Sequence, residues 1–189
     1  MFHFIKSAFN STQWIKDDIT EYCFVGRSNV GKSTLINALA KHDIARTSKT
    51  PGRTLCVNFY DFDRFRIVDL PGYGFASVSK TKKDEVTQII SEYVFNRVNL
   101  FLVFLVIDAN VFSPLDQQMY QQLEKKFANI VLVVNKIDRL NKNELNQKIQ
   151  QIATKFSVEP AKLLLVSGKK RIGIEQIWKT IYASQRTIS

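Results

Sequence analysis

Eight residues, Gly26-Arg27-Ser28-Asn29-Val30-Gly31-Lys32-Ser33, fit the phosphate-binding pattern GxxxxGK[ST] at every fixed position. The chemistry they offer is anion capture. A helix N-terminus leaves several backbone N–H groups unpaired, and glycines let the backbone curl around an anion with no side chain in the way. Lys32 would then reach the β- and γ-phosphates and Ser33 would ligate Mg²⁺. The flanks suit the motif. Tyr22-Cys23-Phe24-Val25 before it is bulky and apolar, as a buried strand would be, and Ser33 to Leu39 after it suits a helix.

Three further segments carry matching chemistry. Asp69-Leu70-Pro71-Gly72 is a DxxG, with a carboxylate able to hold Mg²⁺ through water and a glycine N–H that can approach the γ-phosphate. Asn135-Lys136-Ile137-Asp138 is an NKxD. The carboxylate of Asp138 can accept from N1–H and the 2-amino group of guanine, whereas adenine offers neither. Sites built on such bonds reject the wrong partner by on the order of 10⁴. Asn135 would brace the loops and face the N7 side of the base, with the stem of Lys136 along its face. Ser167-Gly168 would present backbone N–H groups to the guanine O6. Between the first helix and the next strand, the polar stretch Lys41 to Cys56 is placed to sense the γ-phosphate. Within it Thr54, closest to the following strand, is the choice for the second Mg²⁺ ligand. An ordinary connection is the alternative reading of that stretch.

Elements that could position these residues are visible in the apolar patterning. Strands are predicted at 22–25, 57–62, 65–68, 100–107, 130–134 and 163–166, and helices at 33–40, 83–97, 114–127, 141–155 and 174–185. Such alternation indicates an α/β fold, a six-stranded mostly parallel sheet with helices on both faces. Only Asp63 and Arg64 separate the second and third strands, so that link is an antiparallel hairpin and one edge strand is antiparallel. In sheets of this kind ligands lie beyond the carboxyl ends of the strands, where the motifs fall.

At 189 residues the chain suits a single domain over 1–189, with residues 1–20 as an N-terminal extension packed on it. The apolar run Leu100 to Ile107 is far shorter than the roughly 20 residues of a membrane span. The start, Met1 to Asn10, does not read as a secretory signal, so a cytoplasmic protein without membrane contact is expected. Cys23 and Cys56 read as buried reduced thiols, with no ligand spacing for zinc. Lys and Arg exceed Asp and Glu by 27 to 17, a net charge of +10. That balance fits either an anionic partner or a merely solvated lysine-rich surface.

Taken together, GRSNVGKS at 26–33, ARTSKTPGRT at 45–54 and DLPGYGF at 69–75 resemble, almost letter for letter, the P-loop and two switches of one family. It is the EngB family of bacterial GTPases, also called YsxC or YihA, in the translation-factor-related class, and the resemblance spans nearly the whole chain. It implies a small GTP-binding protein acting in assembly of the large ribosomal subunit and needed for normal cell division and septation. Its ligands would be GTP or GDP with Mg²⁺, its partner ribosomal RNA or a large-subunit precursor, and its state a monomer. By position, nucleotide contacts fall on Gly26, Arg27, Ser28, Asn29, Val30, Gly31, Lys32 and Ser33, and on Gly52, Arg53, Thr54, Leu55 and Cys56. They continue on Asp69, Leu70, Pro71 and Gly72, on Asn135, Lys136, Ile137 and Asp138, and on Val166, Ser167 and Gly168. Ser33, Thr54 and Asp69 form the metal set, and Lys32, Thr54, Gly72 and Asn29 the candidate catalytic set. The chain departs from the family in three places: NKID where TKxD is usual, Leu55 where glutamine follows the switch threonine, and Gly168 where a small polar residue is usual.

Where Ras-like enzymes place a water-orienting glutamine after DxxG, this chain has Tyr73, which cannot position water as an amide does. Intrinsic hydrolysis is therefore expected to be slow, with a partner or a monovalent cation completing the site. Asn29 holds the position from which related GTPases coordinate K⁺; a structural loop amide is the other reading. Basic residues cluster where the switches should emerge: Arg46, Lys49 and Arg53, then Lys80, Lys82 and Lys83, and Lys169, Lys170 and Arg171 beside the guanine loop. These suggest GTP-gated contact with RNA. Other readings are a GTPase acting directly in septation or RNA modification without ribosome binding, and a nucleoside phosphotransferase, which would need a lid and an acceptor site.

Overall fold

The computed structural model describes residues 2–45, 55–74, 79–125, 127 and 129–188. Among the described residues seven strands form one sheet: β1 (His3–Ala8), β2 (Glu21–Gly26), β3 (Val57–Asp61), β4 (Arg66–Asp69), β5 (Leu100–Asp108), β6 (Ile130–Asn135) and β7 (Leu164–Leu165). The order across it is β1-β3-β4-β2-β5-β6-β7. Helices α1 (Lys32–Ala40), α2 (Lys80–Asn96), α3 (Pro114–Glu124), α4 (Lys142–Phe156) and α5 (Ile174–Ile188) cover both faces.

Period-two alternation along β2 explains the layering. Cys23 and Val25 join one buried cluster, with Val86, Ile90 and Tyr93 of α2, Met119 and Leu123 of α3, and Ile152 and Phe156 of α4. Tyr22 and Phe24 point the other way, into a cluster with Leu35, Ile36 and Leu39 of α1 and Ile174, Ile177 and Ile181 of α5. The spacing of those three isoleucines keeps one face of α5 on the sheet.

The predicted hairpin is present. β3 pairs antiparallel with β4, Phe62 N–H donates to Phe65 O at 3.0 Å, and Asp63 takes the positive φ of 71° that a two-residue turn requires. Two expectations are corrected. The sheet has seven strands rather than six, and the antiparallel β3 is not at the edge. The N-terminal residues supply β1, which pairs antiparallel with β3 from His3↔Asp61 to Ala8↔Val57 and covers it. This strand was hidden because His3, Phe4 and Ile5 are all exposed, so no alternation marks it, and its register slips at a bulge between Phe4 and Lys6. β1 opposes β3 and β3 opposes β4, so β3 alone runs against the rest of the sheet. No helix among the described residues is long and apolar enough to cross a membrane.

Candidate nucleotide site

Three strands end in residues that the sequence nominates, β2 in Gly26, β4 in Asp69 and β6 in Asn135, and β5 between them ends in Asp108. Parallel pairing of β2 with β4 and β5, and of β5 with β6, brings those ends side by side.

The loop after β2 closes on α1 through Gly31, whose φ of 103° is a left-handed conformation suited to glycine. No side chain caps this helix, and the first-turn N–H groups have no intrahelical acceptor, which leaves an anion site open. Lys32 is buried, and its Nζ donates to Gly26 O at 3.2 Å. Burial pushes the Lys32 ammonium below its ordinary value of 10.5, and Asp69 partly offsets that. A phosphate here would stabilise the charge that burial disfavours.

Asp69 closes β4 beside the first turn of α1. Its Oδ2 accepts from Ser33 Oγ at 2.9 Å, while its Oδ1 is buried with no hydrogen-bond partner among the described residues. Burial raises the carboxyl above 3.8, against the lowering effects of Lys32 and Ser33. An orphaned carboxylate oxygen beside a helix-start hydroxyl is a donor set that fits a hard divalent cation. Gly52, Arg53 and Thr54, and with Thr54 the expected second metal ligand, lie outside the described residues. Leu55 packs against the core, and the Cys56 thiol, buried, donates to Asn58 Oδ1 at 3.3 Å. Asn58 pairs with Asp69 across β3 and β4, so this segment borders the carboxylate.

Asn135 is the brace the sequence suggests. Its Nδ2 donates to Val30 O at 2.9 Å, and its Oδ1 accepts from Gly168 N–H at 3.1 Å, tying the phosphate loop to the loop after β7. Lys136, in the left-handed region at φ 68°, sends Nζ to Asn29 O and Asp108 Oδ2, both at 2.6 Å. Asp138 is exposed, with one oxygen accepting from Ser167 Oγ at 2.6 Å. Ile137 N–H donates to Val166 O at 3.3 Å, locking this loop to the one carrying Ser167. The backbone donors expected at guanine O6 have acceptors already. Ser167 N–H donates to Ile172 O at 2.9 Å and Gly168 N–H to Asn135, so an O6 contact at Gly168 would be shared.

Gly72 lies on the phosphate loop: a Cβ there would come within 2.9 Å of Ser28 N and Cα. Leu70 and Pro71 are buried beneath it. Tyr73 is buried too, and its hydroxyl donates to Asp116 Oδ1 at 2.9 Å. Asn29 is exposed at φ 62°. Sequence reasoning missed Asp108 and Asp116. Asp108 is signalled only as the charge closing an apolar strand, and Asp116 only as the acidic third residue of a helix start, Ser-Pro-Leu-Asp, which reads as capping.

A family model described as "50S ribosome-binding GTPase" matches residues 21–136, and one described as "Elongation factor Tu GTP binding domain" matches 98–186. The "Probable GTP-binding protein EngB" of Malacoplasma penetrans (strain HF-2) is 50% identical over 178 residues, 94% of this chain and 96% of its own length. That of Mycoplasma pneumoniae (strain ATCC 29342 / M129 / Subtype 1) is 41% identical over 179 residues, covering 95% and 93%. A crystal structure of a probable GTP-binding protein engB superposes with a TM-score of 0.75 at 27% identity, over 89% of this chain and 100% of that one. Era, crystallised with MgGDPNP and nucleotides 1506–1542 of 16S ribosomal RNA, shares the fold at a TM-score of 0.68 and 23% identity, over 87% of this chain and 56% of its own. With near full-length identity of this order and the phosphate and guanine motifs gathered at one end of a GTPase sheet, the chain belongs to the EngB family of GTP-binding proteins and is a GTPase.

Proposed function

We propose that this GTPase is a nucleotide-gated switch that engages RNA of the large ribosomal subunit or its precursor during assembly, on which normal division and septation then depend. One observation carries the RNA reading: exposed cations flank the nucleotide loops on two sides. Lys80, Lys82 and Lys83 occupy the first turn of α2, just after the second switch, and Lys169, Lys170 and Arg171 follow the guanine loop. The α2 lysines stand at a helix N-terminus, where the macrodipole disfavours cations, and no acidic residue accompanies them in that turn. Contact with phosphates would offset that cost. The family description of a 50S ribosome-binding GTPase agrees with this reading. Arg46, Lys49 and Arg53 lie outside the described residues.

In hydrolysis, a water oxygen bonds to the γ-phosphorus as the bond to the bridging oxygen breaks, releasing GDP and phosphate. Lys32 and the first-turn N–H groups of α1 neutralise the growing charge, and the Gly72 N–H meets the γ-phosphate. Ser33, Thr54 and, through water, Asp69 would hold Mg²⁺, which would supply further positive charge to the phosphates. Asp138 reads the guanine edge. Tyr73, buried against Asp116, leaves no side chain at that position to orient water, so turnover of the protein alone is slow. A ribosomal partner, or K⁺ held at Asn29, completes the site.

Cosedimentation with large-subunit particles tests the switch. Binding is expected with a non-hydrolysable GTP analogue, weaker with GDP, and lost by about one power of ten per few phosphate contacts as salt rises modestly. Indifference to both nucleotide and salt would overturn it. Equal turnover in Na⁺ and K⁺ buffers would remove the cation role of Asn29.

A further inference from the structure

We infer that Asp116, which belongs to none of the nucleotide motifs, is a positioning residue for the second switch: by gripping Arg27 and Tyr73 together it sets where Gly72 meets the γ-phosphate. The carboxylate is fully buried at the start of α3. Arg27 Nε lies 3.1 and 3.0 Å from its two oxygens, Tyr73 donates to Oδ1 at 2.9 Å, and Ser113 N–H donates to Oδ2 at 2.8 Å. The carboxylate thus takes donors from the phosphate loop, the second switch and its own helix start.

The consequences reach the backbone that meets nucleotide. Ser28 N–H donates to Tyr73 O at 2.9 Å, forming a single parallel bridge between residues 27 and 73. Gly72 is pressed against Ser28, and a Cβ at Gly74 would come within 3.2 Å of the Arg27 stem. Arg27 is fixed at its far end as well, donating through Nη2 to Val111 O. Burial, then the Asp116 charge, hold the Tyr73 phenol well above its ordinary value, so it remains a donor. Without the Asp116 carboxylate, the half-buried Arg27 guanidinium would keep only Val111 O and the buried Tyr73 hydroxyl would lose its acceptor, so residues 72–74 would lose this tie to the phosphate loop. Only the triphosphate has a group for Gly72 to meet, so the effect falls on the triphosphate state and on turnover rather than on GDP binding.

The inference rests on reading Gly72 as the γ-phosphate sensor, and three variants separate the two. Affinities for GDP and for a non-hydrolysable GTP analogue, with kcat and KM for GTP, are measured on the purified full chain. For Asp116→Asn the triphosphate-to-diphosphate affinity ratio is expected to fall about tenfold with kcat, roughly the weight of one charge-assisted bond, with GDP affinity within about threefold of wild type. Tyr73→Phe removes one hydroxyl and should move the ratio the same way by about threefold with its melting temperature near wild type; it carries the test if Asp116→Asn does not fold. Equal loss of both affinities, or no change in ratio and kcat, overturns the inference. A Gly72→Ala variant that collapses the ratio while Asp116→Asn and Tyr73→Phe do not overturns the inference alone. An unchanged ratio in Gly72→Ala overturns the sensor reading and the inference with it.

Discussion

Strand β4 is four residues long and has a buried charge at each end: Arg66 where it begins and Asp69 where it stops. The two surroundings differ in kind. At the amino ends of the strands, Glu21 is fully buried and both its oxygens are filled. Oε1 accepts from Arg66 Nη1 at 2.8 Å and Arg97 Nη2 at 2.6 Å, and Oε2 from Tyr93 OH at 2.5 Å and Arg97 Nε at 2.7 Å. Asp17 completes the set with Arg66 Nη2 at 2.6 Å. At the carboxyl ends, Asp69 has one oxygen filled and one without a partner among the described residues, and the buried Lys32 ammonium has a backbone carbonyl at 3.2 Å. One end is closed, its carboxylate oxygens filled from within the chain, although Arg66 Nε has no partner among the described residues; the other is open, with a carboxylate oxygen left short of a partner that a metal would supply. Breaking the first should therefore unfold the protein, and breaking the second should empty it.

The largest effect is expected at the closed end. Glu21→Ala leaves Arg97 and Tyr93 without their carboxylate and Arg66 with Asp17 alone, and should cost about 3–5 kcal/mol in denaturant unfolding, the usual loss when one partner of a buried ion pair is removed. Nucleotide affinity of the fraction that remains folded should be unchanged. A variant that keeps its stability would place the weight of the fold elsewhere. At the open end, Lys32→Ala should lose about 10- to 100-fold in affinity for GTP by calorimetry, as expected for a charged hydrogen bond to phosphate. Its nucleotide-free stability should match or exceed wild type, because a cation that burial disfavours has gone.

The pH dependence sharpens the contrast, since the two carboxylates have opposite signs. The Arg66 hydrogen bond holds Asp17 below 3.8, so its contribution is present above that pH and is lost as pH falls through the lower folded value. Burial holds Asp69 above 3.8, so its charged form costs stability above the raised folded value, and the cost disappears as pH falls toward 3.8. Acid unfolding curves of the nucleotide-free protein should show Asp17→Asn destabilised at neutral pH but converging on wild type in acid. No convergence would mean that the ion pair is not what lowers Asp17.

How much of this was legible differs between the same two regions. The nucleotide end was readable because its chemistry is written in contiguous loops: GRSNVGKS, DLPG and NKID carry their spacing with them. Five helices and six strands were readable from apolar periodicity, although α2 begins at Lys80, three residues before its expected start, where the lysines give no apolar signal and Ser79 caps it. The closed end was not readable. Glu21, Arg66, Tyr93 and Arg97 are scattered over 77 positions of the chain and meet only once β2, β4 and α2 have packed. Asp116 was invisible for the same reason, since a helix-capping carboxylate looks alike whether or not an arginine and a tyrosine arrive from elsewhere. β1 escaped because its first three residues are all exposed, which leaves too short a buried stretch to pattern it.

The central claim, that the carboxyl end of the sheet is held short of partners for its metal and nucleotide, is tested most directly by Asp69→Asn. Its melting temperature is measured with no ligand, with GDP, and with GDP and Mg²⁺. The free variant is expected to melt at or above wild type and to lose the Mg²⁺-dependent part of the nucleotide-induced rise. A free variant that melts well below wild type, yet keeps the full Mg²⁺-dependent rise, would contradict it.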